Sequence, residues 1–89
     1  GGGIEAEIRT VGGDLVETVL VDVEVVNGQA IRPVTYLLRV ESVGRALGRP
    51  TLLSSSGDPA VDAAVYTWLA EADLLAGLPA GLFEISVFP

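Results

Sequence analysis

The segment TLLSSSGDPAVDAAVYTWL (Thr51–Leu69) decides the fold of this 89-residue chain. An apolar run stops at three serines and a glycine, and apolar residues then recur at helical spacing after an Asp-Pro pair. Asp58 has the side-chain chemistry of a helix N-cap, and Pro59 suits the first helical position. Ser54–Gly57 therefore predicts a corner at which a strand ends and a helix begins.

The helix that follows this corner is predicted to be amphipathic. Its apolar residues recur at the spacing of one buried helix face. They are Val61, Val65, Trp68, Ala72 and Leu75. Asp62 falls off that face, as do Tyr66, Glu71 and Asp73, and its charge favours the positive end of the helix dipole. Gly77 is the expected residue just beyond the helix.

Three strands are predicted before the corner. Ile4–Thr10 and Gln29–Ser42 alternate apolar and polar residues, and Leu15–Val26 is rich in valine. Gly12-Gly13 and Asn27-Gly28 separate these strands, and both pairs are typical of tight hairpin turns because the turn positions favour positive φ. The chain thus begins with an antiparallel meander.

Two-residue loops at both turns predict one common apolar face. The first loop pairs Val11 with Asp14 and, further along, Ala6 with Val19. The second pairs Val19 with Tyr36. Because a slip of one residue would turn a whole strand over, the agreement of the two turns favours a sheet with one buried face.

The remaining segments complete an α+β domain. Val43–Arg49 predicts a loop, Pro50–Ser54 a short strand and Leu82–Phe88 a last strand. Pro33 lacks a backbone donor, so its strand is expected at an edge or bulged at that point. The prediction is an antiparallel sheet of four to five strands, in the order β-β-β-(β)-α-β, with one helix packed on one face.

The length predicts a single domain over residues 4–89, with Gly1–Gly3 as a linker or a scar of cloning. The formal net charge of −7, in which all five basic residues are Arg, opposes binding to nucleic acid or to an anionic membrane surface. Apolar runs are shorter than the roughly 20 residues that span a bilayer.

The chain has no Cys, His or Lys. Disulfides, zinc-finger sites and the usual bases of serine hydrolases are therefore excluded. We expect no enzymatic activity, no cofactor and no metal site.

Two acidic groups have an alternative interpretation. Asp58 and Asp62, with Ser54–Ser56, would suit a carboxylate or phosphate site at the helix N-terminus, but an N-cap and a dipole partner explain both acids more simply. Four acids of the first two strands form a predicted solvated face, with cation binding as the less favoured alternative. They are Glu5, Glu7, Asp22 and Glu24.

Residues 44–65 (GRALGRPTLLSSSGDPAVDAAV) and 81–89 (GLFEISVFP) resemble the C-terminal domain of the TonB family of bacterial energy transducers. Members of that family show a hydrophobic strand, a Gly-Arg turn, a strand ending in Ser-Ser-Gly, a short helix and a final strand. Tyr36–Val40, Gly44-Arg45, Ser55–Gly57 and Val61–Ala64 match the first four of these features.

The resemblance covers residues 36–89 and leaves 4–26 as an N-terminal hairpin addition. It implies a periplasmic module that passes force to an outer-membrane transporter.

The edges of the sheet offer the candidate binding site. An open antiparallel sheet leaves two rows of unpaired backbone groups, which are templates for another strand. The last strand has one charge and no proline before residue 89, so we predict that it is the partner-binding edge strand. Its residues are Leu82, Phe83, Glu84, Ile85, Ser86, Val87 and Phe88. Tyr66, off the buried helix face, is a candidate interface anchor.

The predicted function is a non-enzymatic protein-interaction domain that captures an extended peptide by strand addition. The alternative is a structural subunit that self-assembles through the same edges, as in a virion, a secretion apparatus or a filament. The partner is in either case a protein, a peptide or another copy of the chain.

Overall fold

A computed structural model describes residues 4–21, 32–41, 44–71 and 73–88 of the chain. In chain order the elements are β1 (Ile4–Thr10), β2 (Leu15–Val21), β3 (Val34–Val40), β4 (Ala46–Ser54), α1 (Pro59–Glu71), a 3₁₀ helix (Asp73–Gly77) and β5 (Gly81–Phe88). The predicted α+β class is confirmed, since these strands form one antiparallel sheet on which the α-helix packs. The Asn27-Gly28 turn and the acids Asp22 and Glu24 lie outside the described residues.

The strand order is β2-β1-β5-β3-β4, which makes β5 the central strand. Ile85 of β5 lies opposite Ile8 of β1 on one side and opposite Tyr36 of β3 on the other. The prediction that Leu82–Phe88 is an edge strand is therefore wrong. A strand inside a sheet needs no charge or proline against unwanted pairing, so the features that suggested an open edge also fit the centre.

The pairing of β1 with β2 follows the predicted register over most of its length. Ala6 lies opposite Val19, as expected. The turn itself has three residues rather than two, because Gly13 adopts a φ of +100° and donates its backbone N–H to the carbonyl of Thr10 at 2.9 Å. Thr10 in turn donates to the carbonyl of Asp14 at 2.9 Å.

The extra turn residue shifts the register by one, and a bulge in β2 restores it. Arg9 lies opposite Leu15, whereas Ile8 lies opposite Glu17, so Val16 has no partner in the ladder. The predicted pair of Val11 and Asp14 is therefore wrong, although the rows further from the turn are right.

The predicted neighbours of β3 are wrong as well. β1 and β5 lie between β2 and β3, so Tyr36 is beside Ile85 and not beside Val19. The predicted face of β3 is nevertheless right, because Tyr36 is buried with the other core residues. Pro33 precedes the strand, so its missing donor places no demand on the sheet.

β4 begins at Ala46, four residues earlier than predicted. Leu47 lies opposite Arg39 and Thr51 opposite Leu37, so residues 48–50 bulge out opposite the single residue Leu38. Gly48 has a φ of +80° at this bulge. The two glycines of Val43–Arg49 predict a loop, but Ala46 and Leu47 already pair with β3, so the end of that predicted loop is part of the strand.

The core lies between one face of the sheet and α1. The sheet contributes Ala6, Ile8, Val21, Val34, Tyr36, Leu38, Val40, Phe83, Ile85 and Val87. Val61, Val65 and Leu69 of α1 cover them, and Trp68 is half-buried against the same cluster. α1 ends at Glu71, before the predicted Gly77, and Leu75 reaches the core from the 3₁₀ helix. Within the described part of the chain, no helix has the length and apolar character that crossing a membrane requires.

Candidate functional site

The strand-to-helix corner is built around the carboxylate of Asp62. Its Oδ1 accepts hydrogen bonds from the backbone N–H of Ser56 at 2.9 Å and from the hydroxyl of Ser56 at 2.7 Å. Its Oδ2 accepts a hydrogen bond from the hydroxyl of Ser55. Ser56 is fully buried and Asp62 is only 8% exposed, so the expectation that Asp62 lies off the buried face is wrong.

The electrostatics of the corner follow from these contacts. Burial alone would raise the pKa of Asp62, but the hydrogen bonds from Ser55 and Ser56 outweigh it and hold that pKa below its ordinary value. Tyr36 donates its hydroxyl to the backbone carbonyl of Asp62 at 2.6 Å. Burial, together with the nearby Asp62 and Tyr66, raises the pKa of Tyr36, so its hydroxyl stays a neutral donor.

Asp58 is the N-cap of α1, as predicted: its Oδ1 accepts the backbone N–H of Ala60 at 2.9 Å. Because Asp62 already accepts the donors of Ser55 and Ser56, the corner offers those donors to no anion. The structure therefore favours the structural interpretation of both acids over an anion site. The two serines, six and seven residues before Asp62, are the sequence feature that would have indicated its burial.

The acidic face of the first strands is solvated over its described part. Glu7 pairs with Arg9 at 3.0 Å, and both side chains are partly exposed. Among the described residues, no group of three or more acidic, His or Cys side chains has the geometry to hold a metal ion.

The outer strands of the described sheet are β2 and β4, and they differ in how readily they would accept another strand. β4 contains Pro50, which has no backbone donor, and the bulge at residues 48–50. Arg49 adds a charge at the same point. Proline, bulges and charges are the features that protect a natural edge strand from pairing with another chain.

Over its last five residues β2 has neither a proline nor a bulge. It contains no proline and a single charge, Glu17, and it is regularly paired to β1 from Glu17 to Val21. No other strand of the described chain pairs with its outer side. Leu20 is 73% exposed, and Leu15 and Val16 are also exposed. Among the described strands, β2 is therefore the open edge.

The ladder geometry indicates which backbone groups of β2 are free. Because Thr10 donates to the carbonyl of Asp14, these two residues form a hydrogen-bonded pair. Hydrogen-bonded and non-hydrogen-bonded pairs alternate along an antiparallel ladder. Counting along β1 from Thr10, the next hydrogen-bonded residues are Ile8 and Ala6, whose partners across the bulge are Glu17 and Val19. The N–H groups of Thr18 and Leu20 consequently point away from β1.

The predicted site residues are thus not at an edge. Leu82–Phe88 pairs with β1 and β3 and has no free side for another strand. The strand β1 (Ile4–Thr10), which also has no proline, is internal as well, since it lies between β2 and β5. Tyr66 is half-buried, and its ring meets that of Tyr36 edge-on, with a centroid distance of 5.9 Å and an interplanar angle of 63°. Its role as an interface anchor stays a prediction.

No protein-family model, curated protein or solved structure matches this chain. The geometry of the two outer strands is therefore the basis on which a function can be proposed.

Proposed function

We propose that this domain is a non-enzymatic protein-interaction module that binds an extended segment of another protein by strand addition along β2. The observation that supports the proposal is the open edge of β2, which is regularly paired on its inner side and, among the described strands, unpaired on its outer side. An extended segment would gain backbone hydrogen bonds there, and its alternate side chains would lie on the two faces of the sheet.

The side chains beside this edge indicate what the segment looks like. Val19 and Val21 lie on the core side of β2, and Leu20 and Thr18 lie on the opposite, open face. A bound strand would place apolar side chains next to Leu20 and Val19, because cross-strand apolar pairs stabilise a sheet. Glu17 disfavours an acidic residue directly opposite.

The resemblance to the TonB C-terminal domain supports the same class of function. It implies a periplasmic location and an outer-membrane transporter as the protein that supplies the segment. This location and this partner are part of the proposal.

Self-assembly is the second candidate, and the sequence of β2 is compatible with it. In an antiparallel pair of two β2 strands centred on Thr18, Glu17 of one copy lies opposite Val19 of the other, so no like charges meet. The same edge would then join two copies of the sheet, as in a structural subunit.

Proline substitutions test the edge. Thr18→Pro removes an N–H that points outward, so we expect folding at small cost and loss of strand addition. Val19→Pro removes an N–H that points to β1, so we expect unfolding. Binding is measured with an array of seven-residue peptides that alternate apolar and polar residues, and by protection of the Thr18 and Leu20 amides from hydrogen exchange.

Thr18→Ala is the matched control, since it changes the side chain but keeps the N–H, and should bind as the wild type does. Wild-type binding by Thr18→Pro would contradict the proposal. Light scattering at two concentrations separates the two candidates: a monomer that binds peptide supports capture, and an assembly abolished by Thr18→Pro supports self-association.

A further inference from the structure

A groove of about 670 Å³ lies between β4 and the C-terminal half of α1, on the side of the domain away from β2. Leu38, Leu69 and Leu75 line its apolar part, and Tyr66 and Ala70 of α1 line it as well. Its volume is within the range of roughly 300–1,000 Å³ that is typical of small-molecule sites.

Two features of the chain create this groove. The bulge at Gly48–Pro50 moves β4 away from Leu38 and forms one wall. At one end the turn at Gly44 approaches the 3₁₀ helix so closely that a Cβ there would lie 2.7 Å from the carbonyl oxygen of Leu75. The groove is thus a product of the backbone and is formed without a ligand.

The rim of the groove is positive on an otherwise acidic protein. Arg45 and Arg49 both line it, and they are two of only five basic residues in a chain of net charge −7. The Arg45 side chain is 75% exposed and pairs with Glu41 at 3.3 Å. Arg49 is exposed and makes no hydrogen bond or ion pair with another described residue.

We propose that this groove binds a small carboxylic acid with an apolar body. The carboxylate would lie at the rim, where a guanidinium group can donate two parallel hydrogen bonds to it. The apolar body would lie against Tyr66, Ala70 and Pro50, which line the groove and are at least partly exposed, and would remove apolar surface of these residues from water. This site lies at the opposite end of the sheet from β2, so ligand binding there and strand addition at β2 can be tested independently.

Decanoate, below its micelle concentration, is the probe. Its titration should shift the backbone amide resonances of Gly48, Tyr66 and Ala70, and decanol, which has the same chain without the charge, should bind at least about tenfold more weakly. The double variant Arg45→Gln/Arg49→Gln should also lose about tenfold in affinity, with the remaining amide spectrum unchanged. Arg39→Gln, at an exposed arginine on the open face of the sheet, is the matched control and should bind as the wild type does.

Three results would overturn the proposal. One is equal affinity for decanoate and decanol, which would make the arginines irrelevant. Another is wild-type affinity in the double variant. The third is binding of a peptide that ends in Leu with a free carboxylate when decanoate does not bind, since the groove would then dock protein and not a small acid.

Discussion

The carboxylate of Asp62 is the acceptor for the backbone and hydroxyl donors of the strand-to-helix corner. An external anion would otherwise be needed to accept these hydrogen bonds. The two oxygens of Asp62 accept hydrogen bonds from Ser55 and Ser56, and Ser56 has no contact with solvent. A buried donor that loses its acceptor costs more free energy than the hydrogen bond contributes when it is intact. A single side chain thus fixes the position of the corner relative to the helix.

We expect Asp62→Ala to lower the free energy of unfolding by about 1–3 kcal/mol, because it leaves the buried backbone N–H of Ser56 without its acceptor. Asp58→Ala, which removes only the N-cap, should cost about 0.5–2 kcal/mol. Urea denaturation at pH 7 measures both. Asp73→Ala, at an exposed acid of the 3₁₀ helix, is the control, and an equally small effect of Asp62→Ala would refute the structural role.

The same carboxylate predicts a pH dependence. Because the pKa of Asp62 is lower in the folded state than in the unfolded state, its contribution is present above the unfolded value of about 3.9 and is lost as the pH falls through the folded value. Wild type and Asp62→Asn should therefore differ most in stability near pH 6 and converge in strong acid. Parallel curves down to the lowest pH would show that the hydrogen bonds do not favour the charged form.

Gly44 and Gly48 offer a second comparison between single residues. Both have positive φ, +73° and +80°, so alanine at either position costs roughly 1–2 kcal/mol in backbone strain. Only at Gly44 would the added Cβ also meet the backbone of Leu75, whereas nothing lies within 4 Å at Gly48. We expect Gly44→Ala to lower the melting temperature clearly more than Gly48→Ala. Equal effects would mean that the turn can move away from the 3₁₀ helix.

At the scale of the element, β2 and β5 are alike in the two sequence features that protect an edge strand, namely charged residues and proline. Each has one charge, Glu17 or Glu84, and neither has a proline. One lies at the margin of the described sheet and the other at its centre. A strand without protective residues is therefore consistent with full pairing as well as with an open edge, and only the location of its neighbours distinguishes the two.

Proline in β5 should unfold the domain at every interior position. Successive N–H groups of a strand point to opposite sides, so the donors of Glu84 and Ile85 face different neighbours, and both neighbours are present. We expect Glu84→Pro and Ile85→Pro both to lose cooperative unfolding in circular dichroism, whereas Glu84→Ala should stay folded. A folded Glu84→Pro variant would show that one side of β5 is open after all.

At the scale of the whole molecule, β1 and β2 are part of the sheet and not an accessory to it. Ala6 and Ile8 are fully buried, and they lie opposite Val87 and Ile85 of β5. Without β1, one side of β5 would be a new edge with a single charge.

A fragment of residues 32–89, which lacks β1 and β2, should therefore aggregate or fail to unfold cooperatively. Light scattering and thermal denaturation measure this, with the full chain under the same conditions as the reference. Addition of a peptide of residues 4–21 should restore the folded state. A stable monomeric fragment would instead make the hairpin a separable addition, as the resemblance implies.

Local chemistry predicts much of this fold, and long-range pairing explains what it misses. The alternation in β3 identifies the buried face of Tyr36 correctly, and Asp58-Pro59 locates the start of α1. The neighbour of Tyr36 is wrong because alternation specifies a face and contains no information on which strand inserts beside it. The burial of Asp62 is missed because an acidic residue is assigned to solvent unless its donors, Ser55 and Ser56, are considered with it.

The central position of β5 has a consequence for synthesis on the ribosome. In the described sheet, the pair β1–β2 and the pair β3–β4 are joined only through β5, the strand that is translated after all the others. A nascent chain that stops before Gly81 holds two hairpins with no shared ladder, and their apolar faces are exposed to other chains. The domain is therefore expected to fold only after residues 81–88 have left the exit tunnel, and a pause in translation just before them would be the moment of greatest risk of aggregation.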